Sequence, residues 1–245
     1  MEEGIEVSLK SDVLFHIGSI PVSNSMLAAI TFTIILGMYF WTISKKFSLK
    51  PTKSQIIFEE IFEKGYDFTK EIIGNEKIAK KTYPVVLTLF FLILTFNLMK
   101  FIPGFEALKF GDKNLFRPVH ADLNSTLALS VFAWVLIQSL GFYILGFKGY
   151  LGKFIQPVKF KGKTIFLNPI ALMEIISEIA KMFSLALRLY LNILVGTILI
   201  AVISLASHYI APTFMMFFEI FVAVLQAAIF SLLTIIYIKM AIESH

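Results

Sequence analysis

The sequence has no cysteine, which excludes a disulfide framework, a thiolate zinc site, an iron–sulfur cluster and a cysteine nucleophile. Histidine is scarce too. Its four copies are scattered along the chain, so neither a histidine metal site nor any other metal or cofactor is expected. Charge is the third deficit: Asp, Glu, Lys and Arg make up 16% of the residues, where a soluble domain carries about 25%. There is no glycine-rich phosphate loop, no GxSxG, no HExxH, no internal repeat and no low-complexity tract, so soluble catalytic chemistry has no motif here.

What remains is apolar. Of 245 residues, 57% are hydrophobic, 26 of them Phe, and the mean hydropathy is +0.80. So few ionisable side chains cannot cover a water-facing surface, and the fold class is an all-α polytopic membrane protein. In a soluble protein the net charge of +5 would point to nucleic acid. In a membrane protein it belongs in loops facing anionic lipid, and no nucleic-acid partner is expected.

About 20 apolar residues cross a bilayer as a helix, because lipid offers backbone N–H and C=O groups no partner. The chain reads as a single integral membrane domain, 1–245, with five such helices at 25–44, 82–102, 123–147, 168–206 and 212–241. Residues 45–81 carry nine Lys against six acids, and residues 147–163 carry five Lys and no acid. The positive-inside rule puts both in the cytoplasm, the N-terminus outside and the C-terminus inside. Residues 1–24 are acidic, lack a basic start and read as a short external segment rather than a cleavable signal. Within 51–81, Ile56, Ile57, Ile61, Phe62, Phe68, Ile72 and Ile73 recur at near-helical spacing among charges, as in an amphipathic helix at the cytoplasmic interface; a solvated connector is the alternative.

The informative segment is the fourth span. With Arg188 at zero and about 100° per residue, Glu174 and Asn192 fall near 40°, Ser177 near −20°, Glu178 and Gly196 near 80°, Lys181 near 20° and Ser184 near −40°. One face thus collects all these polar groups. On the last span, with Gln226 at zero, Glu219 and Tyr237 both fall near 20°, so the two stripes can face each other in a long, tilted hairpin. An arginine at a helix centre costs roughly 2.5–3.5 kcal/mol to insert. A water-filled cavity or a facing carboxylate makes it tolerable, and no acid stands at i±4 from Arg188. Plain structural roles compete for the others: Asn192 and Gln226 as interhelical hydrogen bonds, Glu174 and Lys181 as snorkelling charges, and Ser177, Ser184 and Tyr237 as ordinary helix residues.

The run Ser184–Asn192, SLALRLYLN, with Gly196 beyond it and Lys181 and Glu174 before it, resembles the signature of subunit a of the F-type ATP synthase. PVHADLN (Pro118–Asn124), FNLMKFIPG (Phe96–Gly104), PTKSQIIFE (Pro51–Glu59) and LQAAIFSLLTIIYI (Leu225–Ile238) resemble further segments of that family, so the likeness covers nearly all of residues 25–245. It implies a non-catalytic Fo subunit that forms two ion half-channels beside a rotating c-ring and couples proton flow to ATP synthesis. Arg188 would face the ring carboxylate and Gln226 would help hold it. Asn192, Glu219 and Tyr237 would line the external half-channel, with Glu174, Ser177, Glu178, Lys181 and Ser184 nearer the cytoplasm. His120 and His208, in external loops, are candidate entrance groups, with solvated loop histidines as the alternative. The implied partners are the c-ring, the peripheral-stalk subunit b, the rest of the complex and lipid, in a bacterial plasma membrane. Many relatives pair an acid and a histidine at the positions of Thr197 and Glu219. Here only the acid is kept, and Thr197 lies about 180° from Arg188 on the wheel, so the group that tunes Glu219 stays open.

Two other classes compete. A secondary transporter binding a solute at mid-membrane would show inverted repeats and Gly/Pro-broken helices, and the sequence has neither. A scaffold protein would use the polar stripe as interhelical glue, which leaves Arg188 without a role.

Overall fold

The computed structural model describes residues 11–45, 52–105, 107–154, 158–160, 163–165, 169–207 and 209–242. A hairpin of β1 (Val13–Ile17) and β2 (Ile20–Ser23) runs into α1 (Asn24–Ser44), whose first turn is capped by the Ser23 side chain accepting from the Met26 N–H. In the same way Thr52 caps α2 (Lys53–Ile73), which ends at Gly74 in the left-handed conformation, φ 72°. That backbone suits glycine because a Cβ would crowd the preceding carbonyl. Asn75 then accepts from two N–H groups and starts α3 (Glu76–Leu98), which tightens into a 3₁₀ turn at Met99–Phe101. The Gly74–Asn75 pair therefore opens the third helix at Glu76, ahead of the start at residue 82 read from hydropathy. Charged residues in its first turns hide that start from any apolar count.

A short hairpin of β3 (Lys109–Phe110) and β4 (Lys113–Asn114) and a 3₁₀ turn at Val119–Ala121 lead to α4 (Leu123–Phe154), which is bent where Gly146 takes φ 71°. A third hairpin, β5 (Val158–Phe160) and β6 (Lys163–Ile165), precedes the two longest helices, α5 (Pro169–Ala206) and α6 (Ile210–Ile242). All three hairpins are antiparallel and two-stranded. They sit in connections and leave the all-α class unchanged. Among the described residues, five helices are long and apolar enough to cross a membrane.

The helices pack as a bundle, with α4 on α5 and α6, α3 on α6, and α5 on α6, while α1 touches mainly α3 and the turn before α4. Buried apolar side chains form three groups. Ala28, Phe96, Met99, Phe105 and Val119 gather where α1 begins and α3 ends. Leu89, Ile93, Ala133, Leu185, Leu189, Ala227 and Phe230 follow farther down the bundle. Ile73, Ala79, Val86, Ile137, Ile235, Ile238 and Ala241 close the opposite end. Elsewhere the surface is largely apolar: Ile34, Met38, Trp41, Phe132, Val195, Phe217 and Phe221 are all exposed, as lipid-facing side chains are. On α2 the exposed residues Ile56, Ile57, Ile61 and Phe68 lie among charges, a surface suited to an interface between lipid and water.

Asp122, just before α4, ties the N-terminal segment down. Its carboxylate accepts from Ser11 Oγ (2.5 Å), Ser25 Oγ (2.7 Å) and the Asn124 N–H (3.0 Å). Burial works against the charge, but these bonds and the nearby Arg117 outweigh it and hold the carboxyl below its ordinary range. A depressed carboxyl stabilises the fold above its unfolded-state pKa, and that contribution is lost as pH falls through the folded value. Acidification below about pH 4 therefore loosens residues 11–23. The protection factors of their amides, taken against the intrinsic exchange rate at each pH, should fall in the native protein at low pH, and the pH step should vanish in Asp122→Asn. Equal protection at pH 7 and pH 3 would contradict the assignment.

Candidate functional site between the last two helices

At 1.5 Å per residue, 38-residue α5 is about 57 Å long, nearly twice a bilayer core of about 30 Å. A helix that much longer than the core tilts, kinks or projects beyond it, and a tilt would carry its polar stripe across neighbouring helices. Near its middle a cavity of about 470 Å³ opens against α6, and Lys100, Arg188, Asn192, Gly196, Glu219 and Gln226 share its wall. The remainder of the wall is apolar, including Leu191, Val195, Val222 and Ala223.

Arg188 is half-buried in that wall, and no acid among the described residues forms an ion pair with it. Gln226 shares the cavity with Arg188 without a direct hydrogen bond. Its Nε2 is buried and has no partner among the described residues. Glu219 is buried deeper. A Cβ built on Gly196 would run into Glu219 Oε1, so the carboxylate lies directly against the α5 backbone and must shift if a larger residue stands there. On its other side, Lys100 Nζ approaches Glu219 Oε2 at 2.6 Å, with side chains only 11% and 8% exposed. The contact is an ion pair by distance; neither carboxylate oxygen makes an aligned hydrogen bond among the described residues. A smaller cavity of about 220 Å³ adjoins the pair and is bordered by Lys100, Glu219 and Thr197. The Thr197 hydroxyl donates to Ile193 O (2.8 Å).

A second polar group lies farther toward the α6 C-terminus. Lys181 Nζ bonds Glu178 Oε1 at 2.5 Å, Gln138 Nε2 donates to Glu178 Oε2 at 2.8 Å, and the ammonium stands 5.4 Å from the Tyr237 ring centre. A cavity of about 660 Å³ reaches Glu178 past Gln138, Ser139, Trp134 and Tyr150. Burial first, then the charges of Glu178 and Glu174, push the Tyr150 hydroxyl up to about 12. Tyr237 thus stands beside Lys181, not with Asn192 and Glu219, with which the family resemblance grouped it. Tyr237 and Glu219 share an azimuth, but 18 residues of helix separate them by about 27 Å. Glu174 is half-buried. Ser177 and Ser184 are exposed and border neither cavity.

His120 is also not in a solvated loop; it is fully buried. Asn97 Nδ2 donates to Ala223 O (3.4 Å), which leaves Asn97 Oδ1 to accept from His120 Nδ1 (2.7 Å). This link ties the end of α3 and the turn before α4 to α6 beside the cavity that Arg188 and Glu219 share. Burial holds the imidazole far below its ordinary pKa and therefore neutral. His208 lies outside the described residues.

Lys100, Asn97 and Gln138 were not singled out from the sequence. Lys100 could have been, since an ionisable group at a membrane-helix end is a functional candidate by default. Its partner, however, stands 119 residues away, and hydropathy at the helix end reads such a lysine as an interface anchor.

The class is thus a polytopic all-α membrane protein whose long final helices enclose a charged cavity. The family profile described as ATP synthase A chain matches residues 25–239. The chain is 32% identical over 232 residues to "ATP synthase subunit a" of Moorella thermoacetica, covering 95% of this chain and 96% of that one. It is 31% identical to the protein of that name from Legionella pneumophila, with 94% and 91% covered, and 37% identical to that from Mycobacterium ulcerans, with 88% and 84% covered. The protein belongs to the ATP synthase subunit a family.

Proposed function

We propose that this chain is the non-catalytic stator subunit of the membrane sector of an ATP synthase. It forms two ion half-channels beside a rotating ring of carboxylate-bearing subunits and couples proton translocation to rotation and ATP synthesis. The carrying observation is Arg188, a permanent cation on the long α5, at a cavity wall, with no acid of the described chain paired to it. An unpaired guanidinium at this depth calls for a carboxylate from another chain.

Offset cavities suit this task. A continuous pore through about 30 Å of hydrocarbon would dissipate the gradient. The cavity at Glu219 and Asn192 serves one access path and the one at Glu178 serves the other, with Arg188 between them along α5. A ring carboxylate protonated from one side travels through lipid in neutral form. It gives up the proton to the other side as it nears Arg188, whose fixed charge favours the ionised form. Each elementary charge moved through 100 mV supplies about 2.3 kcal/mol, so several steps are gathered for each ATP. Loop charge supports an N-terminus outside and a C-terminus inside, and the bacterial relatives support a bacterial plasma membrane. Peripheral-stalk subunit b holds the chain against rotation, and α2 lies at the cytoplasmic interface.

The absence of native cysteine permits a direct test of the ring contact. Leu191 is exposed on α5, less than one turn from Arg188. In membranes carrying the whole complex, Leu191→Cys should form oxidant-dependent cross-links to a cysteine placed in the outer ring helix, while Ile34→Cys on α1 should not. Equal yields at both positions, or none at Leu191, would refute this placement of the ring.

A further inference from the structure

The two hairpins beside the start of α1 carry apolar surface that the chain leaves bare. In a two-stranded ribbon, directly paired residues point to the same side and successive residues alternate. On the first hairpin Phe15 pairs with Val22 and His16 with Pro21. One face therefore carries Phe15, Ile17 and Val22, and His16 belongs to the other. The protein covers only part of the apolar face: Val22 is 4% exposed, Phe15 41% and Ile17, beside the turn, 65%. The second hairpin repeats the pattern. Its ladder pairs Phe110 with Lys113 and is extended by the Leu115 N–H donating to Leu108 O at 2.7 Å. Leu108 and Phe110 thus share a side, and both are exposed. Lys113 Nζ donates to Val13 O at 2.8 Å and ties one ribbon to the other.

We infer that these two ribbons are a lipid-binding surface, with Phe15, Ile17, Leu108 and Phe110 seated at the boundary of acyl chains and headgroups in the leaflet where α1 begins. The inference rests on the membrane class of the protein and not on the half-channels. Continuity carries it. β2 passes into α1 through the Ser23 cap, and α1 exposes Met26 and Ile30 within its first two turns. Those side chains belong to a helix that crosses the membrane, so lipid already reaches the foot of the first ribbon. Five residues of β1 extend no more than about 17 Å from there.

An isolated two-stranded ribbon is marginally stable in water and needs its apolar face covered. A lipid boundary supplies that cover without a partner protein. Charge fits the same place: Lys109 and Lys113 stand beside Phe110, one next to it in sequence and one across the ladder, and outnumber the one acid of that hairpin, Asp112. An apolar body with flanking ammonium groups suits a layer of acyl chains capped by phosphates. The Asp122 carboxylate accepts from Ser11 and Ser25 and so fixes the first ribbon to the start of α4. The depth of the ribbons in the leaflet therefore sets the depth of that end of the bundle.

The test uses the whole complex in lipid vesicles, and the cysteine-free chain accepts single labels. A nitrobenzoxadiazole fluorophore is attached at Ile17→Cys, at Phe110→Cys and at His16→Cys, which is exposed on the opposite face. The signal of unmodified complex treated in the same way is subtracted. Lipid carrying a nitroxide near the top of its acyl chain should quench the labels at positions 17 and 110 severalfold more than the label at 16, and aqueous iodide should quench in the reverse order. Iodide quenching at position 17 equal to that at position 16 would overturn the inference. Shielding of positions 17 and 110 from both quenchers would overturn it too, since another protein would then cover the ribbons. Unmodified complex decides the matter if the labelled chains fail to assemble. An aryl diazirine dissolved in the bilayer should, on photolysis, modify the segment holding Phe15 and Ile17 as it modifies the exposed α1 face at Ile34 and Met38. Modification of α1 with none at residues 11–23 would overturn the inference.

Discussion

Arg188→Ala is expected to abolish ion-driven ATP synthesis in vesicles carrying the whole complex, while the complex still assembles. Assembly should survive because no group of the described chain depends on the guanidinium for an ion pair. An arginine deep in a membrane helix costs roughly 2.5–3.5 kcal/mol to insert, and alanine removes that cost. The loss is therefore expected in function and not in folding. Without the fixed charge, a ring carboxylate passing α5 has no reason to ionise there, and a proton can remain on it from one access path to the other. Passive proton leak should then rise as synthesis disappears. Lys is a poor substitute, because a compact, strongly hydrated ammonium on a flexible stem does not reproduce a planar guanidinium, so Arg188→Lys should also fall well below the unmodified rate. Near-normal synthesis in Arg188→Ala would make the residue a structural cation and undo the proposed mechanism.

Gly196→Ala is expected to lower proton-driven synthesis by about tenfold or more, although it adds one methyl group to a helix that otherwise favours alanine. By propensity alone the change should stabilise α5 by roughly 0.8–1.0 kcal/mol. The Glu219 carboxylate decides the opposite outcome for activity. It rests on Gly196, and the added Cβ would overlap its Oε1. The acid is also held by Lys100 from the other side, so a shift of its carboxylate strains the ion pair or the α5–α6 contact. Such a shift displaces a group lining the cavity beside Arg188, and displacements near 1 Å are enough for losses of this order. Synthesis rates measured against the amount of assembled complex separate this effect from simple instability. Gly37→Ala, at a site on α1 with open space around it, is the matched control and should leave the rate unchanged. An unaltered rate in Gly196→Ala would mean that the carboxylate is free to move.

How far the sequence reaches depends on whether a feature is local. The apolar runs locate the five membrane helices, although α3 starts at Glu76 and not at 82 and α4 runs on to Phe154, because a bilayer imposes length and hydropathy on each segment separately. Break points are clear where one residue dictates them and obscure where charge masks them. The start of α3 at Glu76 needs Gly74 and Asn75 to be read as a cap pair within a charged stretch.

The helical wheel puts Arg188, Asn192 and Gly196 on one face of α5, and Glu219 and Gln226 on one face of α6, and these five residues do share a cavity. The same wheel misplaces Tyr237, because it reports direction around a helix and is blind to height along it. At 1.5 Å per residue, Gln226 and Tyr237 are about 16 Å apart, which is enough to move a side chain into a different polar group. His120 shows the complementary error. Polar and flanked by loop residues, it reads as solvated, and only its contacts with Asn97 and Phe96 reveal that it is enclosed.

By itself, then, the sequence determined the membrane class, the helix count, the loop charge, the polar faces of the last two helices and the signature around Arg188. All of these follow from the solvent each segment must meet and from a fixed 3.6-residue period. Tertiary structure alone decided that Lys100 pairs with Glu219, that Gly196 is the surface the carboxylate rests on, that Tyr237 stands with Lys181, and that Asn97 and His120 lock three segments beside the cavity. Those contacts join residues tens to more than a hundred positions apart, and no periodicity along one helix encodes which residue of another helix arrives at the same depth.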